Sequence, residues 1–160
     1  MGGKTTHRMI KARLETTHSM VAEAFSYDLA GELRRYGEVV NTDKRRIRFR
    51  GIDFPLTHII WMIVHREWPK FIVDHKDCDH ANIAWINLRP ATDQQNSMNK
   101  RIRCDNQIGV KGVQRHGIGY RARIRVGRDC YDLGTFSESW MAAAAYRIAS
   151  AVMHGEFGRT

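Results

Sequence analysis

Residues 73–100 contain polar side chains whose types and spacing suit a hydrolytic metal site. Asp74 and His75 stand at one end of this stretch, Asn87 in the middle and Asn96 towards the other end. A neutral imidazole accepts a proton near pH 7, because its unperturbed pKa is about 6.5. Carboxylate and amide oxygens are hard ligands, which suit magnesium or manganese better than zinc. We therefore interpret the stretch as a hydrolytic site that uses one divalent cation.

A predicted β-hairpin positions the first part of this set. Residues 71–75 are expected to form a strand, residues 77–81 a polar loop, and residues 87–89 a returning strand that Pro90 ends. Asp74 and His75 then lie at the end of the first strand, and Asn87 lies at the start of the second.

A short helix is expected directly after the hairpin. Thr92 followed by Gln95 has the spacing of a capping box and predicts a helix to about residue 99. Asn96 then lies one turn into this helix, where it can face the strand that carries Asp74 and His75. The hypothesis requires these three side chains to converge on one cation with access to solvent.

Composition points to a basic protein that binds a polyanion. The chain has 160 residues and a net charge of +9, and its pI is about 9.9. Simple solubility is the alternative explanation of the charge. No apolar run is long enough to cross a bilayer and no signal peptide is evident, so we expect no membrane association. Three widely spaced cysteines, Cys78, Cys104 and Cys130, argue against a cysteine zinc site and fit a reducing cytoplasm.

The region before residue 71 is expected to mix helices and strands. Apolar residues from Leu14 to Phe25 predict a short amphipathic helix, and Thr57 is expected to cap a second helix that ends near His65. Residues 38–40 and 46–50 are expected to be strands. In the second of these, apolar residues alternate with Arg46, Arg48 and Arg50, which form a basic face for solvent or for phosphate.

The region after residue 104 is expected to form a sheet covered by a helix. Residues 109–113, 120–126 and 131–136 are expected to be strands, and Ser137 is expected to cap a helix over residues 138–153. Arg121, Arg123 and Arg125 alternate with smaller apolar residues in the middle strand, so they share one face. Three arginines on an uncovered face repel one another, and a bound polyanion would neutralise them.

Residues 27–100 resemble an HNH homing endonuclease of phages. The resemblance is densest over residues 73–96, and the residues that carry it include Asp74, His75, Asn87 and Asn96. It implies a ββα-metal fold that cuts or nicks DNA with one divalent cation, magnesium or manganese. His75 is then the general base, Asp74 and Asn96 are metal ligands, and Asn87 holds either the His75 ring or the loop.

The chain departs from this family's usual pattern in the loop and in the helix. Cys78 stands where the family usually has a glycine, and Ala81 and Asn82 stand where an Asp-Asn pair is usual. Asn96 stands where the family often has a histidine, which reduces the metal site by one imidazole. These departures concern the geometry of the loop and the strength of metal binding.

Residues 109–158 resemble the ethylene-response-factor (APETALA-type) DNA-binding domain. The motifs that carry the resemblance are GVKGV from Gly109, YRARI from Tyr120, LGTF from Leu133, AAY from Ala144 and HGEF from His154. Tyr120 replaces the family's usual tryptophan. The resemblance implies that the sheet enters the major groove and that Arg121, Arg123 and Arg125 contact bases, with Lys111 and Arg115 as helpers. A sheet that contacts phosphates alone is the alternative.

The sequence thus predicts an α+β protein with two modules, a ββα-metal nuclease over residues 1–103 with its core motif at 71–100, and a DNA-binding module over residues 104–160. The predicted function is homing-type cleavage of double-stranded DNA by a monomer or weak dimer in the cytoplasm, which is the host's if a phage encodes the chain. A DNA-binding regulator with an inert nuclease module is the main alternative. An RNA-binding or structural phage protein is the third.

Overall fold

A computed structural model describes residues 17–159 of the chain, which divide into two compact units on either side of the 91/92 bond. The described residues form four α-helices and four small antiparallel sheets, which confirms the predicted α+β class. None of these helices is long and apolar enough to cross a membrane. The structural division assigns residues 92–103 to the second unit. The functional boundary after residue 103 stays a prediction.

The first unit begins with a helix and a three-stranded sheet. Helix α1 (His18–Ala24) leads into β1 (Phe25–Tyr27), which pairs with β2 (Leu33–Arg35), and β2 pairs with β3 (Glu38–Val39). The predicted helix included Phe25, which instead pairs with Arg35 and packs edge-on against Phe49 at 5.2 Å. The start of that prediction, at Leu14, lies outside the described residues.

A hairpin and the longest helix of the first unit follow. Strand β4 (Arg46–Phe49) pairs with β5 (Ile52–Pro55), and α2 (Leu56–His65) begins at once. Arg50 lies in the turn and not in the predicted strand. Arg50 and Gly51 have φ of 49° and 77°, as in the primed two-residue turns of β-hairpins. Thr57 is not the cap of α2, because Pro55 already occupies the N-cap position and Thr57 is buried in the first turn.

The core of the first unit is built around α2. Its buried residues Ile59 and Ile60 are fully inaccessible to solvent, and they belong to one cluster with Phe54, Leu33 and Val73. Val73 lies in β6 (Ile72–His75), which pairs with β7 (Leu88–Ala91). The sequence prediction ended this second strand at Pro90. The strand continues because β7 is an edge strand, where a missing N–H is tolerated.

The second unit opens with α3 (Asp93–Asn99). The capping box is present as predicted: the Thr92 hydroxyl accepts from the Gln95 N–H at 3.2 Å, and the Thr92 N–H donates to the Gln95 side chain at 2.9 Å. The strands of this unit are β8 (Val113–His116), β9 (Gly119–Val126) and β10 (Asp129–Phe136), with β9 in the middle.

Helix α4 (Ser139–Met153) covers this sheet, as predicted, and a short 3-10 turn (Gly155–Phe157) follows it. Ala142 and Tyr146 pack in one cluster with Ala122 and Ile124 of β9. The N-cap of α4 is Glu138 rather than the predicted Ser137.

The first strand of the second unit starts at Val113, so the predicted strand over residues 109–113 is wrong. Gly109 and Gly112 have φ of 73° and 67°, which interrupts an extended backbone. A Cβ at Gly112 would lie 2.3 Å from the Arg123 carbonyl oxygen and from the Tyr146 ring. Glycine is therefore required at this position by both backbone conformation and space.

Candidate active site

The β6–β7 hairpin brings four buried polar side chains together. Asp74 lies opposite Arg89 in the pairing, and His75 lies opposite Leu88. Asp74, His75, Asn87 and Arg89 are each less than a tenth exposed. Buried polar groups are costly unless they are paired, so the partners of each side chain determine what this hairpin can do.

Asp74 forms a buried ion pair with Arg89. The Arg89 Nε lies 3.0 Å from Asp74 Oδ2, and both side chains are 7% exposed. No role was predicted for Arg89 from the sequence. The antiparallel register places the two residues directly opposite each other, so the pairing follows once the register is known. Arg89 orients the carboxylate and balances its charge.

Asn87 holds the loop between the two strands. Its Nδ2 donates to Asp77 Oδ1 at 2.9 Å and to the Asn82 carbonyl oxygen at 2.8 Å, and its Oδ1 accepts from the Asp77 N–H at 3.1 Å. The sequence analysis left the His75 ring and the loop as alternatives for Asn87. These three contacts are with the loop.

Asp77 is the second anchor of the loop. Its carboxylate accepts from the Asp79 N–H at 2.8 Å and from the Asn82 side chain at 2.7 Å. Partial burial would raise the pKa of Asp77, but hydrogen bonds from Asp79, Asn87 and Asn82 outweigh burial and lower this pKa below its usual value. The loop is therefore cross-linked through one ionised carboxylate.

Cys78 adopts a conformation that glycine usually provides. Its φ is 60°, in the left-handed region, and its N–H donates to the His75 carbonyl oxygen at 3.0 Å. A residue with a Cβ costs roughly 1–2 kcal/mol in this region. The departure from the family's usual glycine thus keeps the tight turn after His75, at the cost of local strain.

His75 has the protonation properties of a base. Burial lowers the pKa of His75, and the neighbouring His80 lowers it further, against the opposing effect of Asp77, Asp74 and Asp79. The rings of His75 and His80 lie 5.2 Å apart at an angle of 80°. The imidazole is therefore neutral at neutral pH. The sequence analysis overlooked His80, although Asp79 and His80 repeat the Asp74–His75 doublet five residues later.

Residues of β1 and of the turn after it support the end of the loop that precedes β7. The Tyr27 hydroxyl donates to the Ile83 carbonyl oxygen at 2.6 Å, and the Trp85 N–H donates to the Leu29 carbonyl oxygen at 3.0 Å. Burial raises the pKa of Tyr27 to about 12, with help from the nearby charge of Asp28, so the phenol stays a donor. Gly31, with φ of 118°, approaches Ala84 so closely that a Cβ would lie 3.0 Å from its backbone nitrogen.

Asn96 lies half-buried on α3, in the second unit, whereas Asp74 and His75 lie in the first. Its convergence with Asp74 on one cation stays a prediction. The exposed fractions of Asp74 and His75 are 6% and 8%, so both side chains are largely buried, and the Nε2 atom of His75 is itself buried.

The predicted ligands fit a hard cation by their chemistry. Asp74 offers a carboxylate and Asn96 an amide oxygen, and magnesium is typically held by one or two such groups and several waters. Among residues 17–159, no group of three or more His, Cys, Asp and Glu side chains is placed to hold a metal ion. Closed zinc sites use four protein ligands of the nitrogen and sulfur type. The ligand types of Asp74 and Asn96 therefore suit magnesium or manganese. The binding of such an ion and its identity stay predictions.

The predicted DNA-binding residues are distributed over both units. In the first unit, Arg46 and Arg48 are exposed on β4, and an Arg46 terminal nitrogen donates to the Asp53 carbonyl oxygen at 2.7 Å. Arg50 is exposed in the turn. In the second unit, Lys111 is half-buried and Arg115 is exposed on β8.

The arginines of β9 alternate with core residues as predicted, but one of them is neutralised. Ala122 and Ile124 are buried, Arg121 and Arg123 are half-buried, and Arg125 is exposed. Asp132 of β10 forms an ion pair with Arg121, whose Nε lies 2.8 Å from Asp132 Oδ2. The expectation of three uncompensated arginines is therefore wrong for Arg121, because the neighbouring strand supplies a carboxylate.

Comparison with known proteins bears on the segment from α2 into α3. No curated protein and no solved structure matches the chain. A family model described as HNH endonuclease matches residues 56–98. The matched segment runs from the start of α2 into α3 and contains Asp74, His75, Asn87, Arg89 and Asn96. In this segment, the chain is similar to HNH endonucleases.

Proposed function

We propose that the protein is an HNH endonuclease of the homing type that hydrolyses phosphodiester bonds in double-stranded DNA. The observation that carries the proposal is the Asp74–His75 doublet on a hairpin whose loop is locked by Asn87, inside the segment that matches the HNH endonuclease family. The net charge of +9 favours an anionic substrate.

The residues of the hairpin take separate parts in the reaction. A water molecule attacks the phosphorus, the neutral His75 imidazole accepts its proton, and the bond to one ester oxygen breaks. Asn87 and Asp77 keep the loop closed so that His75 holds its position. Arg89 orients Asp74. A divalent cation, magnesium or manganese, held by Asp74 and Asn96 would stabilise negative charge on the phosphate and the leaving oxygen.

The second unit supplies the DNA specificity in this proposal. Its three-stranded sheet resembles the ethylene-response-factor DNA-binding domain, and a two-stranded or broader β-ribbon fits the major groove. Arg123 and Arg125 are the arginines proposed to contact bases, with Lys111 and Arg115 in support. Arg121 is tied to Asp132 and is proposed to join them when DNA competes for it.

A DNA-binding regulator with an inactive nuclease unit is the second candidate. Two observations favour it: the Asp74 carboxylate is engaged by Arg89, and both Asp74 and His75 are more than nine-tenths buried. In that case the second unit would bind DNA and the hairpin would be a structural element.

Cleavage of supercoiled plasmid in magnesium separates the two candidates. We expect the wild type to nick the plasmid and His75→Ala to lower the rate by about 100-fold or more, since a general base contributes that much. His18→Ala, on α1, is the matched control and should cleave at the wild-type rate. Equal rates of cleavage by the wild type and His75→Ala would contradict the role of His75 as the base, and no cleavage by either protein would favour the regulator.

A further inference from the structure

The segment between α3 and β8 forms one wall of a basic groove within the second unit. The groove has a volume of about 840 Å³, and five cations line it with one carboxylate. The cations are Lys100, Arg101, Arg103, Lys111 and Arg115, and the carboxylate is Asp105. We refer to this feature as the linker groove.

The wall formed by the segment between α3 and β8 is folded onto the rest of the second unit. The Asn106 side chain accepts from the N–H groups of Ile108 and Gly109 at 2.9 Å each, and it donates to the Val110 carbonyl oxygen at 2.9 Å. Ile108 and Val110 pack against the buried cluster beneath the sheet. The segment between α3 and β8 is therefore a fixed part of the fold.

Two cations of the groove are held in place by contacts with neighbouring residues. The Lys111 ammonium donates to the Met98 carbonyl oxygen at 2.8 Å, which ties α3 to the chain before β8. The Arg115 guanidinium lies over the Tyr120 ring at 5.7 Å, a cation–π contact. Cations held in place in this way lose less conformational entropy when a ligand binds.

Asp105 neutralises one cation of the groove. It accepts two hydrogen bonds from Arg103, at 3.0 Å from Nε and 2.9 Å from a terminal nitrogen. Both side chains are exposed, so water and salt screen this pair. An anionic ligand would have to compete with Asp105 for Arg103 and would meet Lys100, Arg101 and Arg115 directly.

The groove leads towards the arginines of β9. A second cleft of about 670 Å³ shares Ser97, Lys111 and Gly112 with it and is also lined by Arg123, Arg125 and Arg128. A row of exposed cations suits an extended polyanion better than a small anion, because duplex DNA carries one charge per about 1.7 Å of its axis. We propose that the linker groove binds the phosphate backbone of duplex DNA, an inference that rests on the proposed DNA binding by this unit.

Salt-dependent DNA binding tests the groove directly. Affinity for a duplex is measured over a range of salt concentrations, in EDTA to prevent cleavage, and with both a preferred and a scrambled sequence. Lys100→Ala and Arg101→Ala should each lower the slope of log affinity against log salt by about 0.9 and weaken both duplexes equally. Arg147→Ala, an exposed cation on α4 outside the groove, is the matched control and should keep the wild-type slope.

A variant that should bind DNA more tightly separates the loss of a contact from the loss of the fold. Asp105→Asn releases Arg103 and should steepen the slope and tighten binding to both duplexes, which an unfolded protein would not do. Unchanged slopes in Lys100→Ala, Arg101→Ala and Asp105→Asn would overturn the proposal, as would stronger binding to an RNA duplex than to DNA. Since the assay does not require cleavage, the outcome for the groove is separate from that for the nuclease.

Discussion

The buried ion pair between Asp74 and Arg89 is the residue-level feature on which the hairpin depends. A carboxylate in this position would be costly without a partner, and Arg89 provides one from the opposite strand at 3.0 Å. The same contact fixes the direction of the side chain that is proposed to bind the cation. The stability of the hairpin and the proposed cation site therefore involve the same two residues.

Replacing Arg89 should test this dependence. We expect Arg89→Ala to lower the free energy of unfolding by about 3 kcal/mol, because it leaves a buried carboxylate without its cation. Urea denaturation measures the change, with Arg48→Ala as the control, since Arg48 is exposed on β4 and should change stability by less than about 0.5 kcal/mol. Equal effects of the two substitutions would contradict the structural role of the pair.

At the scale of secondary-structure elements, the loop between β6 and β7 is held from two sides. Asn87 and Asp77 hold it from within. Strand β1 holds it through Tyr27, and the turn after β1 holds it through the Leu29 carbonyl oxygen. The N-terminal sheet thus reaches the hairpin by specific hydrogen bonds. A loop supported in this way can keep His75 in one position without substrate.

Removal of one hydroxyl should loosen this support. Tyr27→Phe deletes the donor to Ile83 and should lower stability by about 1 kcal/mol, the usual net value of such a bond. Hydrogen exchange should become faster in residues 76–83. Tyr36→Phe, at a side chain that is 70% exposed, serves as the control and should leave exchange in the loop unchanged. Unaltered exchange in Tyr27→Phe would show that the N-terminal sheet does not brace the loop.

At the scale of the whole molecule, the charge of +9 is shared between surfaces with different proposed tasks. The linker groove would contact phosphates and carry affinity, whereas the arginines of β9 would contact bases and carry specificity. Arg46, Arg48 and Arg50 of the first unit are proposed to add phosphate contacts. Such a division predicts that the affinity for DNA and the discrimination between DNA sequences can be altered separately.

Arg123 should affect the discrimination between DNA sequences in particular. We expect Arg123→Ala to reduce the preference for the cognate duplex over a scrambled one by about 1–3 kcal/mol, since a bidentate contact from arginine to guanine is worth that much. Competition binding with the two duplexes provides the measurement, and Arg101→Ala is the comparison that should leave the preference intact. If Arg123→Ala weakens both duplexes equally, Arg123 contacts phosphate instead.

Local patterns in the sequence predicted the parts of the fold that depend on neighbours in the chain. The capping box of Thr92 and Gln95 and the alternation around Ala122 and Ile124 are both present. The contacts between distant residues were not predictable in the same way. The pairing of Asp74 with Arg89 needs the strand register, and the need for glycine at residue 112 needs the position of the Tyr146 ring.

The candidate site was predictable as a set of residue types, and its internal contacts were not. The Asp74–His75 doublet and Asn87 stand out because of their spacing, whereas the bonds from Asn87 to Asp77 and Asn82 depend on how the loop folds. His80 was missed because the repeat of the Asp-His doublet does not by itself show that the His80 ring lies beside that of His75.

The position of α3 limits how far the two proposed functions can be recombined. The Lys111 ammonium is bonded to the Met98 carbonyl oxygen, so the helix that carries Asn96 is fastened to the unit with the three-stranded sheet. Exchange of the proposed DNA-binding module for another at residue 103 would remove this anchor from the helix. An engineered chimera intended to retarget the proposed cleavage would therefore need to carry α3 along with the sheet, or rebuild the bond from Lys111 in its new partner.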